Sequence, residues 1–219
     1  MSSQGNSSSR FSHSNLRNPN TYTCLPWHHS KDSMGNTEIL KRGDIQLTSA
    51  GTGISHSEKA HGSKQVLFLQ IWSVPSVSHL PPKYYTRHFT DAEKKDTFAR
   101  VVAPIGGDGV SSSREDSGPA PVHSPLTLFV TLLSPSISLK HTFLEGPTKE
   151  RKGYIHVVQT SGYNTKAATG ATVKVTGEGG AELELKEGDG AYILGESGKE
   201  LKVENVGEKV AEVLLFDLE

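Results

Sequence analysis

"GDIQLTSAGTGISHSEK", residues 43–59, holds two strand-like runs joined through a pair of glycines. Gly51 and Gly53 permit the positive φ of a tight turn, and the second run delivers His56 and Glu58 two positions apart. On a strand, residues i and i+2 face the same way, so an imidazole and a carboxylate at this spacing converge on one point. A neutral imidazole beside a carboxylate suits iron, nickel, manganese, copper or zinc. Taken alone, H-x-E is a weak signal, because most such pairs are surface polar residues.

Outward from this stretch the same grammar repeats. "NTEILKRGDIQLTSAG" has alternating runs broken at "KRGD", and "KQVLFLQIWSV" is an apolar, β-prone run of the buried-strand type. The two prolines of "HLPPKYY" end it, since proline cannot extend a central strand. "FTDAEKKDTFARVVAP" can open with one helical turn. Then come "LTLFVTLL", "SISLKHTF", "GYIHVVQTSG", "ATVKVTG", "AELELKEGDGAYIL", "KELKVENVG" and "AEVLLFDL", each short and bounded by Gly, Pro, Asn or Asp. That spacing predicts an all-β sandwich or barrel.

Two consecutive β units are expected. Residues 1–25, rich in Ser and Asn, offer too little apolar surface to offset chain entropy and are expected to be a disordered arm. Residues 26–90 form the first unit and 91–219 the second, with the Gly/Ser/Pro-rich stretch 105–125 as an exposed, mobile loop.

Composition bounds the function. A chain of 219 residues can bury two ordinary cores. Its formal charge of −1 gives no basic excess for nucleic acid and no polybasic run for an anionic membrane. Apolar runs such as "LTLFVTLL" are too short to span a bilayer, and the N-terminus lacks the apolar segment of a secretory signal. Cys24 stands alone, so no internal disulfide forms, and nothing nearby activates its thiol. A soluble cytoplasmic protein is expected.

The words "HSKDSMGNTEILKRGDIQLTSAGTGISHSEK", followed by "LFLQIW" and "PPKYYTRHF", resemble the pirin family of cupin proteins over about residues 29–90. The C-terminal part, ending "AEVLLFDL", resembles the second cupin of quercetinase-like members. The resemblance implies a bicupin: two RmlC-like jelly rolls, or double-stranded β-helix barrels. It also implies one divalent metal in the first barrel, usually iron(II), held by three histidines and a glutamate. Carried over, His56 is a metal ligand and Glu58 a ligand that also acts as catalytic base. The activity implied is quercetin 2,3-dioxygenase. A flavonol gives up its proton to Glu58, and O2 then opens the ring with loss of carbon monoxide. Some family members bind transcription factors in the nucleus, so a protein partner and a non-catalytic role are the rival expectation.

The family's other two histidines come from an H-x-H word upstream of "DSMGN". No such word occurs here, although His13, His28 and His29 do. Adjacent His28 and His29 point to opposite faces of a strand, so only one can reach a metal. The first barrel is therefore expected to lack strands, its metal site to be incomplete, and flavonol cleavage to be weak.

Elsewhere, His141 and His156 have no partner at ligand spacing and are expected to be structural. "GEGGAELELKEGDGAYI" matches no phosphate-binding fingerprint and reads as strand, turn and strand. Trp72 is expected in the core, and Tyr84 and Tyr85 in a linker between the units.

Overall fold

The structure, a computed structural model, describes residues 9–13, 18–23, 28–61, 66–162 and 168–219, with side chains from Ser30 onward. Strands come first in chain order: β1 (Ser9–His13), β2 (Asn18–Thr23), β3 (His28–Asp32) and β4 (Thr37–Leu40). β5 (Asp44–Ser49), β6 (Ile54–Ala60), β7 (Phe68–Ser73) and β8 (Lys83–His88) follow. After α1 (Asp91–Lys94) come β9 (Ala99–Pro104), β10 (Ala120–Val122), β11 (Leu126–Leu133), β12 (Ser138–Thr142) and β13 (Glu150–Val157). The chain closes with β14 (Thr172–Gly177), β15 (Glu182–Lys186), β16 (Gly190–Glu196), β17 (Glu200–Asn205) and β18 (Ala211–Leu218). The all-β expectation holds.

The chain divides after His88 into two compact units, with residues 111–124 belonging to the first. In that unit one sheet has the order β1-β6-β3-β4 and the other β7-β2-β5-β8, antiparallel throughout. β5 is buried on both faces, Ile45 and Leu47 on one and Gln46 and Thr48 on the other. In the second unit one sheet runs β9-β11-β18-β13-β16 and the other β12-β17-β14-β15. Its core is Leu133, Ile155, Val157, Val173, Val203 and Leu215 with their neighbours, contributed by inward positions of both sheets.

Local chemistry explains the joints. Thr90 caps α1 with a reciprocal capping box: its Oγ1 accepts from Glu93 N–H at 3.3 Å, and its own N–H donates to Glu93 Oε2 at 2.7 Å. Gly51 turns β5 into β6 at φ +52°, and a Cβ there would meet the Leu80 carbonyl oxygen at 2.0 Å. Only glycine fits.

Four expectations are corrected. The arm, expected to be disordered over residues 1–25, contributes β1 and β2, which pair with β6 and with β5 and β7. Backbone pairing to existing strands needs few apolar side chains, so composition alone misread it. "LFLQIW" is half-buried because β7 lies at a sheet edge. Trp72 on it is 37% exposed and outside the core. Tyr84 and Tyr85 sit in no linker: both are buried on β8, paired with β5 at Thr48 and Leu47. Within 105–125, β10 is buried. Residues 111–114 are tied down as well, since Arg87 donates to the carbonyls of Ser111, Ser113 and Arg114 at 2.9, 3.2 and 3.0 Å.

Candidate metal centre

Strand β6 alternates as its sequence demands. Ile54, His56 and Glu58 are buried, while Ser55 and Lys59 are exposed. His56 is 8% and Glu58 5% exposed, and His56 Nδ1 lies 3.4 Å from Glu58 Oε1. The two side chains thus converge inside the first unit on one face of one strand, as their spacing implies.

Register identifies what surrounds them. β3 sets Asp32 opposite His56 and Ser30 opposite Glu58; β1 sets Phe11 opposite His56, Ser9 opposite Glu58 and His13 opposite Ile54. Directly opposed residues share a face, so Ser30 and Asp32 lie on the same side as the pair. Asp32 is committed to the hairpin turn at "DSMGN". Its Oδ1 accepts from the N–H groups of Met34 and Asn36 at 2.9 Å each, and its Oδ2 accepts from the Asn36 amide at 2.6 Å.

The facing sheet closes over this surface. Gln46 on β5 donates its amide N–H to Ser30 Oγ at 3.1 Å, which fixes the even positions of β5 toward β3 and β6. Tyr84 stands opposite Thr48 in the β5–β8 register and shares that inward face. The Tyr84 phenol is pushed far above its ordinary range, first by burial and then by the carboxylates of Glu38, Asp32 and Glu58. Arg114, whose guanidinium carbon lies 5.4 Å from the ring centroid, acts the other way. The interior of this unit is consequently polar where a folded core is ordinarily apolar.

A buried imidazole and a buried carboxylate converging at this distance fit a divalent cation as two of its ligands. Among the described residues, no cluster of three or more His, Cys, Asp or Glu side chains forms a fuller set. The side chains of His13, His28 and His29, and Cys24 entirely, lie outside the described residues.

The second unit holds its histidines differently. His141 on β12 is buried among Phe98, Phe129 and Phe143, with Nε2 2.9 Å from Asp217 Oδ2. Arg151 donates to Asp217 Oδ1 from Nη2 at 2.7 Å and from Nε at 3.2 Å, and the Leu144 N–H donates to Oδ2 at 2.9 Å. Burial alone would raise the Asp217 carboxyl; these donors overcome it and hold the group below the usual carboxylate range. His156 stacks on Tyr154 and is lowered by burial, partly offset by Asp189. Sequence reading missed the Arg151–Asp217–His141 network. Its one available signal was a carboxylate at an inward position of "AEVLLFDL". An opening in this unit of about 760 Å³ is lined by Phe143, Ile193 and Leu201 and rimmed by the ion pairs Lys149–Glu196 and Lys199–Glu178. Its charged lining residues include Glu150 and Glu200 beside those ion pairs.

Comparison with known proteins agrees with this geometry. Residues 21–73 match the family described as pirin, a span that includes His56 and Glu58. Quercetin 2,3-dioxygenase of Escherichia coli is 37% identical over 97 residues, which are 44% of this chain and 41% of that protein. The chain therefore spans less than half of that relative. The crystal structure of YhhW from E. coli superposes with a TM-score of 0.70 at 27% identity, covering 100% of this chain and 77% of that one. The structure of bacterial pirin YhhW in complex with nickel(II) gives a TM-score of 0.70 at 25% identity over 96% of this chain and 75% of that one. The jelly-roll expectation is met by this shared fold. The family match lies on the strands that carry His56 and Glu58, so this part of the chain is similar to pirin-family proteins.

Proposed function

We propose that the first unit is a metal-dependent site of the quercetin 2,3-dioxygenase type, with His56 and Glu58 as two ligands of one divalent metal. The observation that carries this reading is the buried pair itself, 3.4 Å apart on the inward face of β6. When bound, a divalent metal supplies Lewis acidity toward a flavonol oxygen and a path for O2 chemistry. Iron(II) is the family expectation, and nickel(II), which occupies the bacterial pirin structure, is equally suited to an imidazole and a carboxylate. Glu58 takes the flavonol hydroxyl proton, a task for which its carboxylate lies beside the ligand site and out of bulk water. His56 presents one ring nitrogen toward the carboxylate and orients the pair.

A second reading, a non-catalytic binding protein, is favoured by one observation. Among the described residues only two metal-ligating groups converge, whereas three or four protein groups ordinarily fix such a metal. The measurement that decides is metal content of the purified chain, followed by quercetin turnover. On the enzymatic reading the wild type retains metal after dialysis, His56→Ala loses it, and a slow cleavage disappears in His56→Ala and in Glu58→Gln. Turnover that survives His56→Ala sinks the site assignment. Metal retention with no turnover decides for the binding protein.

A further inference from the structure

Two buried polar atoms facing the His56–Glu58 pair are left unused by the fold. Gln46 is 2% exposed; its amide N–H donates to Ser30, while its amide oxygen has no hydrogen-bond partner among the described residues. Tyr84 is 6% exposed, and its hydroxyl has no hydrogen-bond partner among them either. Leaving a buried amide oxygen or phenol unsatisfied is unfavourable, and such atoms are rare in folded proteins unless something else fills them. Both belong to the face of the β5–β8 sheet that looks onto β3 and β6, Gln46 through its contact with Ser30 and Tyr84 through its register with Thr48.

Both side chains are also held in place. Gln46 is anchored by its amide nitrogen, which leaves the oxygen fixed as an acceptor. The Tyr84 ring lies beneath Arg114, itself tied by ion pairs to Glu38 and to Glu115. A fixed acceptor and a fixed donor on one inward face make a preorganised recognition surface.

We propose that Gln46 and Tyr84 are ligand-contacting residues of the first unit, the Gln46 amide oxygen accepting from a ligand hydroxyl and the Tyr84 hydroxyl donating to a ligand oxygen. The ligand class is a compact, oxygen-rich molecule carrying both groups, and a polyhydroxylated aromatic meets that requirement. This assignment rests on the reading that the first unit binds a flavonol-type molecule beside His56 and Glu58, and it adds the groups that orient that molecule.

The test uses the full chain loaded with nickel(II), with quercetin as probe, and compares wild type, Tyr84→Phe, Gln46→Leu and His56→Ala. Thermal midpoint without quercetin, metal content and quercetin affinity are measured for each. The proposal expects Tyr84→Phe and Gln46→Leu to keep their metal and Tyr84→Phe to melt no lower than wild type. It expects each to bind quercetin about fivefold to tenfold more weakly, the loss of one hydrogen bond. A Tyr84→Phe chain that melts several degrees lower assigns the hydroxyl a structural role and overturns the proposal. Unchanged quercetin affinity in both variants, with metal lost only in His56→Ala, overturns the proposal and leaves the metal-site reading standing. A nickel-loaded wild type that binds no quercetin overturns the flavonol reading, and the proposal falls with it.

Discussion

Gly51 shows how a single residue places the candidate site. Its φ of +52° and the 2.0 Å approach a Cβ would make to the Leu80 carbonyl mean that Gly51→Ala must distort the turn that launches β6. A destabilisation of about 1–3 kcal/mol is expected, read as a lower denaturant midpoint with unchanged slope. Because the turn precedes His56 by five residues, the variant should also lose metal affinity. The glycine pair and the H-x-E spacing were legible in the sequence because both depend on local geometry alone. Gln46 and Tyr84 were not, because the face each presents depends on which strand pairs with which. "PPKYYTRHF" gives no local sign that Tyr84 turns inward opposite Thr48.

Elements carry the same lesson. Strands that alternate inside one sheet, such as β6 and β13, declared themselves through their own side chains. The arm strands β1 and β2 did not, since their pairing is a property of the partners they lie against. β18 combines both cases: its apolar run was plain, while the role of Asp217 needed β12 and β13 in view. That network yields a pH prediction. Asp217 has a depressed pKa in the folded chain, so it contributes stability that is present above its unfolded value and lost as pH falls through the folded one. His156 is likewise lowered from 6.5, so protonation below that pH favours the unfolded chain. Acid should therefore weaken the second unit in two stages, first below about pH 6.5 and again below the usual carboxylate range. Chemical denaturation across pH checks this, and His156→Gln should flatten the first stage only. Asp217→Asn leaves the buried Arg151 with only its 3.5 Å pair to Glu219 and should cost about 3–5 kcal/mol at neutral pH.

At the scale of the whole molecule, the two units are built alike but their interiors are not used alike. The second packs Val, Leu, Ile and Phe around the Arg151–Asp217–His141 network, and it satisfies other buried polar groups, such as Glu187 and Asn205, with protein hydrogen bonds. The first keeps Ser30, Gln46, Thr48, His56, Glu58 and Tyr84 buried where apolar side chains would pack better. That polar interior has to be repaid by something bound, so metal should stabilise the first unit selectively. The distribution of tryptophan makes the claim measurable, since both tryptophans, Trp27 and Trp72, lie before His88 and none lies in the second unit. Tryptophan fluorescence therefore follows unfolding of the first unit alone. Nickel(II) at about one hundred times its dissociation constant should add about 2.7 kcal/mol to that transition. His56→Ala should abolish the shift, whereas the acid sensitivity set by Asp217 should persist in that variant. A nickel-dependent shift of equal size in His56→Ala would mean that the cation binds elsewhere, and that the buried pair on β6 is a relic of the family's chemistry.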